Sequence, residues 1–346
     1  MDNKNYGENR ENEKSFKKHL FLFLKNNILL AGAVFAFILL TAAWFVNNSR
    51  VQAGGATVSA AADRKFELAA VGTTGKYDDI LKSILGDIVQ DGDSWKDSEN
   101  KTGTKTSNGK GDIVWVMSSE QNLKNNTENG TIEPGSSGKL EFYVLPKDTS
   151  AHEFSFTLTV KGYYKDNSGY LPMSSKGNGF DTEKFYKLLS GHIQFFSSYD
   201  GEKYSNPLTA PLTATATAEG ITITGLKRST DVGENQKKVI IYWVWPYYVG
   251  DMILPDGNSK LSNDEKKTLF TDDLRSAIAG ELANDYGKYF ENPIDGTLKG
   301  EIAKMVKGNI DETTYNVIYT VYNNADKYIG ENGEYILVQL SAAMDN

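Results

Sequence analysis

The sequence predicts a mainly β protein: an antiparallel β-sandwich of jelly-roll type with α-helices inserted between strands, preceded by one hydrophobic helix. Three observations carry this. Apolar residues alternate with polar ones over many short segments, and the clearest is Phe154-Ser-Phe156-Thr-Leu158-Thr-Val160, the period of a half-buried strand with one wet face. A few segments instead repeat their apolar residues at helical spacing. Ile28 to Val46 is nineteen residues without a charge, long enough at ~1.5 Å per residue to cross a bilayer core. No repeat of solenoid or propeller period is present.

The apolar run fixes the order of segments. Residues 1–27 are polar and basic, with Lys14, Lys17, Lys18 and Lys25 ahead of the run. Basic residues stay in the cytoplasm, so the N-terminus is expected inside and the rest outside. Residues 28–46 are then a transmembrane anchor or a long signal peptide, and the small residues Thr41-Ala42-Ala43 before Trp44 offer a cleavage point. Residues 47–65 read as an extended linker or first strand. Residues 66–346 read as the exported sandwich.

Within that domain, Tyr77 to Ile88 has apolar residues at helical spacing and predicts a helix over about 76–90. Residues 91–111 are polar and read as a long loop. Strands are expected at Ile113–Met117, Leu140–Val144 behind a Pro134-Gly135 turn, and Phe154–Val160. A helix over about 180–190 follows, then strands at Ile193–Phe196, Leu212–Ala218 and Ile221–Ile223, the last two a hairpin around Gly220. Val239 to Trp245 is apolar throughout, as in a strand covered on both faces. Ser262 to Glu265 has capping-box spacing and opens a helix over about 264–290, with Phe270, Leu274, Ile278, Leu282 and Tyr286 as its stripe. A further helix spans about 298–307. Thr313 to Tyr322 fits either period, and its β-branched and aromatic content favours a strand, with a helical turn at Asn323–Ile329. Tyr335–Leu340 closes the domain.

Composition excludes several functions. The chain has no cysteine, which removes disulfides, thiol catalysis and Cys-based metal sites. The first 43 residues carry six Lys/Arg against four Asp/Glu, a net +2, so the −8 of the whole chain leaves −10 on the exported part. Nucleic acid and anionic lipid are poor partners for such a surface. The three histidines, His19, His152 and His192, belong to no HExxH motif, and neither GxSxG nor a Walker sequence is present. No enzyme activity and no cofactor is expected. The loops at Asp91, Asp93 and Asp97 and at Asp256, Asn258 and Asp264 supply oxygens for a loose calcium site at most, since neither has EF-hand spacing. The densest aromatic segment, Tyr242-Trp243-Val244-Trp245, reads as core packing rather than a sugar platform, because Val239, Ile240 and Ile241 leave no polar face.

Several of these segments, in order, resemble the TasA/camelysin-like family of exported bacterial matrix-fibre proteins. They are Thr41-Ala42-Ala43-Trp44-Phe45-Val46 through Val51, then Gly55-Ala-Thr57-Val58-Ser59-Ala60, Glu133-Pro134-Gly135, Trp243-Val-Trp245-Pro246 and Tyr335 to Ala342. The resemblance implies a jelly-roll fibre subunit cleaved after Ala43 by a dedicated signal peptidase. It also implies a freed N-terminal segment, Trp44 to about Ala62, whose Val46, Val51, Thr57 and Val58 would pair with the next subunit's sheet. The chain departs from the family in its helical insertions between Asp251 and Gly308, and it lacks a histidine motif for the metallopeptidase label some relatives carry. The expected function is a secreted structural subunit of extracellular fibres or cell-surface matrix, whose partners are copies of itself or related subunits. The alternative is a membrane-anchored surface module that binds a glycan or protein and keeps its N-terminal helix. A surface hydrolase would need two carboxylates facing each other across a cleft, and a pilin would need an acidic residue at the start of its helix.

Overall fold

The computed structural model describes residues 56–60, 65–71, 94–96, 102–105, 110–117, 132–208 except 168 and 178, 214–256 and 268–345. The chain separates into Met1–Arg50 and Val51–Asn346. The first unit, with the expected helix at 28–46, lies outside the described residues, as does the expected helix at 76–90.

The described strands are, in chain order, β1 (Ala56–Ala60), β2 (Phe66–Val71), β3 (Ser94–Lys96), β4 (Thr102–Lys105), β5 (Lys110–Val116), β6 (Ser137–Pro146), β7 (His152–Asp166), β8 (Gly169–Pro172), β9 (Gln194–Tyr199), β10 (Tyr204–Pro207), β11 (Ala214–Thr217), β12 (Gly220–Thr230), β13 (Lys237–Val244) and β14 (Tyr335–Asp345). The described helices are α1 (Thr182–His192), α2 (Val249–Ile253), α3 (Asp272–Asn284), α4 (Gly296–Met305) and α5 (Glu312–Asn332). Two antiparallel sheets form. The first runs β1-β5-β14-β7-β12-β11, with β8 also on β7, and the second runs β10-β9-β13-β6-β2-β4-β3.

Alternation decides which side chains enter the space between the sheets. Phe154, Phe156, Leu158 and Val160 of β7 are buried while the Ser and Thr between them are not. Ile336, Val338 and Leu340 of β14 and Phe142 and Val144 of β6 join the same core, where Phe142 meets Phe156 edge to face at 5.3 Å. Gly135 makes the turn into β6 with φ +93°, and a Cβ there would crowd the Tyr247 ring. The expected hairpin is β11–β12, with Thr217 opposite Gly220 at its tip.

A second core lies between the β10-β9-β13 end of the second sheet and the helices. Phe196 and Val244 from the strands meet Val249, Met252, Phe270, Ile278, Leu282, Ile302, Ile318 and Tyr322. The molecule is therefore a sandwich with a helical layer against one sheet. Asp181, Asp295 and Asp311 cap α1, α4 and α5, each accepting from the amide three residues on.

Four expectations change. Thr313–Tyr322 is not a strand; it opens the 21-residue helix α5, which absorbs Asn323–Ile329 as well. Its buried residues Tyr315, Ile318, Tyr322, Ala325 and Ile329 follow a helical stripe, and Val317, which a strand would place beside Tyr315, is 46% exposed. Tertiary packing has overridden β propensity. The helix expected over 264–290 is described only from Asp272, and its capping box at 262–265 lies outside the described residues. Phe270 stands before the helix in a bridge with Tyr204. The polar loop at 91–111 contains the hairpin β3–β4, Ser94 opposite Thr104. Finally, α2 follows Pro246 where the sequence showed only a strand end.

Candidate functional site: sheet edges and a buried polar node

The expected donor residues Thr57 and Val58 stand in β1, at one edge of the first sheet. β1 pairs antiparallel with the chain's own β5, Ala56 with Trp115, Thr57 with Val114, Val58 with Ile113 and Ser59 with Asp112, and the register slips between Ser59 and Ala60. It covers one side of a strand that sends Ile113 and Trp115 into the sandwich core. Uncovered, β5 would present a row of unpaired amides and carbonyls next to that core. Val46, Val51 and the processing candidates Thr41, Ala42, Ala43 and Trp44 lie outside the described residues.

The two sheets end differently. At the far edge of the first sheet, β11 reads Ala-Thr-Ala-Thr, with no charge, proline or bulge in its pairing to β12. The second sheet ends in β10, which holds Pro207 and the left-handed Asn206 at φ 53° and is bridged to Phe270, with the Tyr204 amide donating to the Leu269 carbonyl. Its other end, β3, is three residues long and includes Lys96. Proline, lysine, distortion and shortness are what keep an edge from pairing with another chain. The second sheet has them at both ends, and β1 and β11 have few.

The aromatic strand is core. Trp243 is fully buried between the sheets and Trp245 nearly so, while Tyr242 is half-buried beside Tyr199, ring centres 5.7 Å apart. Trp245 leads to a polar node. Its Nε1 donates to Oδ1 of Asp326 at 2.6 Å, and the same oxygen lies 2.6 Å from Nδ1 of His192. Nε2 of His192 lies 3.1 Å from the Tyr289 carbonyl, which can only accept, so that nitrogen carries a proton. The imidazole is fully buried and stacks on Tyr322 with centres 4.2 Å apart. The end of α1, the exit of β13, the turn after α3 and α5 all meet here. With both ring nitrogens engaged, His192 has no free position for acid–base work.

Sequence reasoning noted His192 only as a residue after a helix and missed Asp326. The signal lay four residues beyond Tyr322, where a helical reading puts a carboxylate on an otherwise apolar stripe, a position charged residues occupy only when paired. Burial pushes the Tyr322 and Tyr289 phenols well above their ordinary range, helped by Asp326 and Glu281 respectively. The other exported histidine, His152, is 2.8 Å from Asp148, whose carboxyl is held at about 2 mainly by the Ser150 amide. Of the loose calcium ligands, Asp256 is engaged by Lys203 at 2.6 Å, which lowers its carboxyl, and by the Thr268 amide. Asp91, Asp93, Asp97, Asn258 and Asp264 lie outside the described residues. Among the described residues there is no group of three metal-ligating side chains and no helix long and apolar enough to cross a membrane.

No family model, curated protein or solved structure matches the chain.

Proposed function

We propose that the chain is a secreted structural subunit of extracellular fibres or cell-surface matrix, assembling through its N-terminal strand. One observation carries this reading: residues 56–60 of the segment expected to act as donor form a strand at a sheet edge, β1, with backbone already in pairing geometry. Five residues, 61–65, join it to β2 in the other sheet. A short strand at a sheet edge is the kind of element that copies of one chain exchange or share. The TasA/camelysin-like resemblance of TAAWFVNNSRV and of the strands behind it supports the same reading, with jelly-roll topology and cleavage after Ala43 by a signal peptidase.

Electron microscopy of protein starting at Trp44, beside protein starting near Arg64, tests it. Fibres are expected from the first and their loss from the second. Monomers from both at high concentration would sink the proposal.

A second reading, the membrane-anchored binding module, is favoured by a surface aromatic group. Tyr247 is 48% exposed, its ring lies 4.3 Å from that of Tyr248, and Tyr248 lies 5.3 Å from Tyr319. Intact mass of the native protein separates the two: a mass from Met1 supports the anchor, and one from Trp44 the processed subunit.

A further inference from the structure

Resting on the reading of the chain as a fibre subunit, we propose that β1 of one copy pairs edge to edge with β11 of the next. Each β1 keeps its place on its own β5, and the first sheet runs unbroken from copy to copy.

Three features of that sheet point to this junction. The first is edge chemistry. Ala56-Thr-Val-Ser-Ala60 and Ala214-Thr-Ala-Thr217 are uncharged and proline-free, while both ends of the second sheet carry blocking features. β11 is also a supported edge, hydrogen-bonded to β12 on one side and packed against α1. The second is direction. The path β1-β5-β14-β7-β12-β11 has six strands and every neighbouring pair is antiparallel. β1 and β11 therefore run oppositely, and a copy set alongside by repetition brings them together antiparallel, as everywhere else in the sheet. An odd number of strands would have forced a parallel junction.

The third feature is register. Thr57 pairs with Val114, Val114 with Gln339, Gln339 with Thr159, Thr159 with Thr222, and Thr222 with Thr215. One row thus crosses all six strands and has a threonine at each end. Repeating the row sets Thr57 of one copy opposite Thr215 of the next, Ala56 opposite Ala216 and Val58 opposite Ala214. The backbone ladder then continues across the junction in the same alternation of hydrogen-bonded and non-hydrogen-bonded pairs. Different edges meet, so the contact is heterologous and does not close on two copies. The right-handed twist of the sheet carries such a repeat into a helical filament.

The absence of cysteine makes the junction directly testable. Antiparallel partners have Cα atoms about 4.5–5.5 Å apart, within disulfide range. Within one copy Thr57 and Thr215 are five strand spacings apart, about 24 Å at ~4.8 Å each, so they cannot bridge. The full chain carrying Thr57→Cys and Thr215→Cys is produced in a secreting bacterial host, its fibres are mildly oxidised, and they are run on a non-reducing gel. A ladder of dimers, trimers and higher species is expected. Each single variant alone should stay monomeric on the gel, and a mixture of the two should stop at dimers. If fibres form but the double variant gives no ladder, or if single variants cross-link as readily, the edge-to-edge junction is wrong and the fibre reading stands. If the unsubstituted chain forms no fibres, the fibre reading itself fails and the junction with it.

Discussion

One oxygen of Asp326 accepts from Trp245 Nε1 and also lies 2.6 Å from His192 Nδ1, inside a site where His192 is fully buried. Its second oxygen, Oδ2, has no hydrogen-bond partner among the described residues. This residue therefore has most of its worth in orienting the histidine and the indole, with little hydrogen bonding to spare. Removing one partner of a buried pair leaves the other without compensation, which costs about 3–5 kcal/mol. Asp326→Ala is expected to destabilise by that amount in urea unfolding, with Trp245 Nε1 orphaned as well. Asp326→Asn, which keeps an acceptor for Trp245, should cost less. A cycle with His192→Gln separates pairing from packing: coupling of about 0.5–3 kcal/mol is expected for residues in one network. Additive costs would show that the two residues act independently.

At the scale of elements, α1 is held where it is by the absence of a side chain. A Cβ on Gly191 would fall on the Lys288 carbonyl in the turn after α3, which is backbone and cannot swing aside. Gly191→Ala should thus destabilise by about 1–3 kcal/mol through overpacking, although alanine is the better helix former. A gain in melting temperature would refute the close approach. The same element shows what a sequence can and cannot reveal. The period of Phe185, Leu188 and Leu189 marked α1 as a helix, and the strict alternation in β7 marked its strand and its inner face. Both signals are local. Gly191's role depends on a turn about a hundred residues away, and the Asp326–His192 contact spans 134 positions, so no window over the sequence could reveal either. α5 was hidden for another reason. Tyr, Ile, Val and Thr at 313–322 satisfy strand and helix periods together, and only the neighbours that bury Tyr315, Ile318 and Tyr322 break the tie. The hairpin β3–β4 was hidden because Ser, Lys, Thr and Gly carry turn signals, while its pairing to β2 supplies the strand. At the candidate site, β1 was legible as a strand from its Thr-Val-Ser core. Its position at an edge, and the matching β11 edge, are properties of the assembled sheet.

At the scale of the whole molecule, two cores share the second sheet, and their ionisable content differs. Tyr204, Tyr289, Tyr315 and Tyr322 all belong to the core under the helices. Burial raises every one, Tyr204 to about 12 and the other three well above the ordinary phenol range. The sandwich core holds Tyr186, raised to about 12, also by burial. Unfolded phenols ionise near pH ~10. These groups stabilise the fold fully below that value; above it the unfolded chain releases protons that the folded chain retains, so stability falls as pH rises toward the folded values. Among the described residues buried in the two cores, four such groups lie under the helices and one between the sheets, so the helical layer should loosen first. Hydrogen exchange at a pH of about 11 should therefore accelerate in α3 and α5 before β7 and β14. Tyr322→Phe gives the sharper test. The Tyr322 hydroxyl is buried without a hydrogen-bond partner among the described residues, so its removal should be near neutral at pH 7. The ring remains to stack on His192. The variant should move the alkaline unfolding midpoint upward, followed by tyrosinate absorbance and circular dichroism together. An unmoved midpoint, or exchange that quickens uniformly through both cores, would mean that the two layers unfold as one unit and that phenol burial under the helices does not set the alkaline limit.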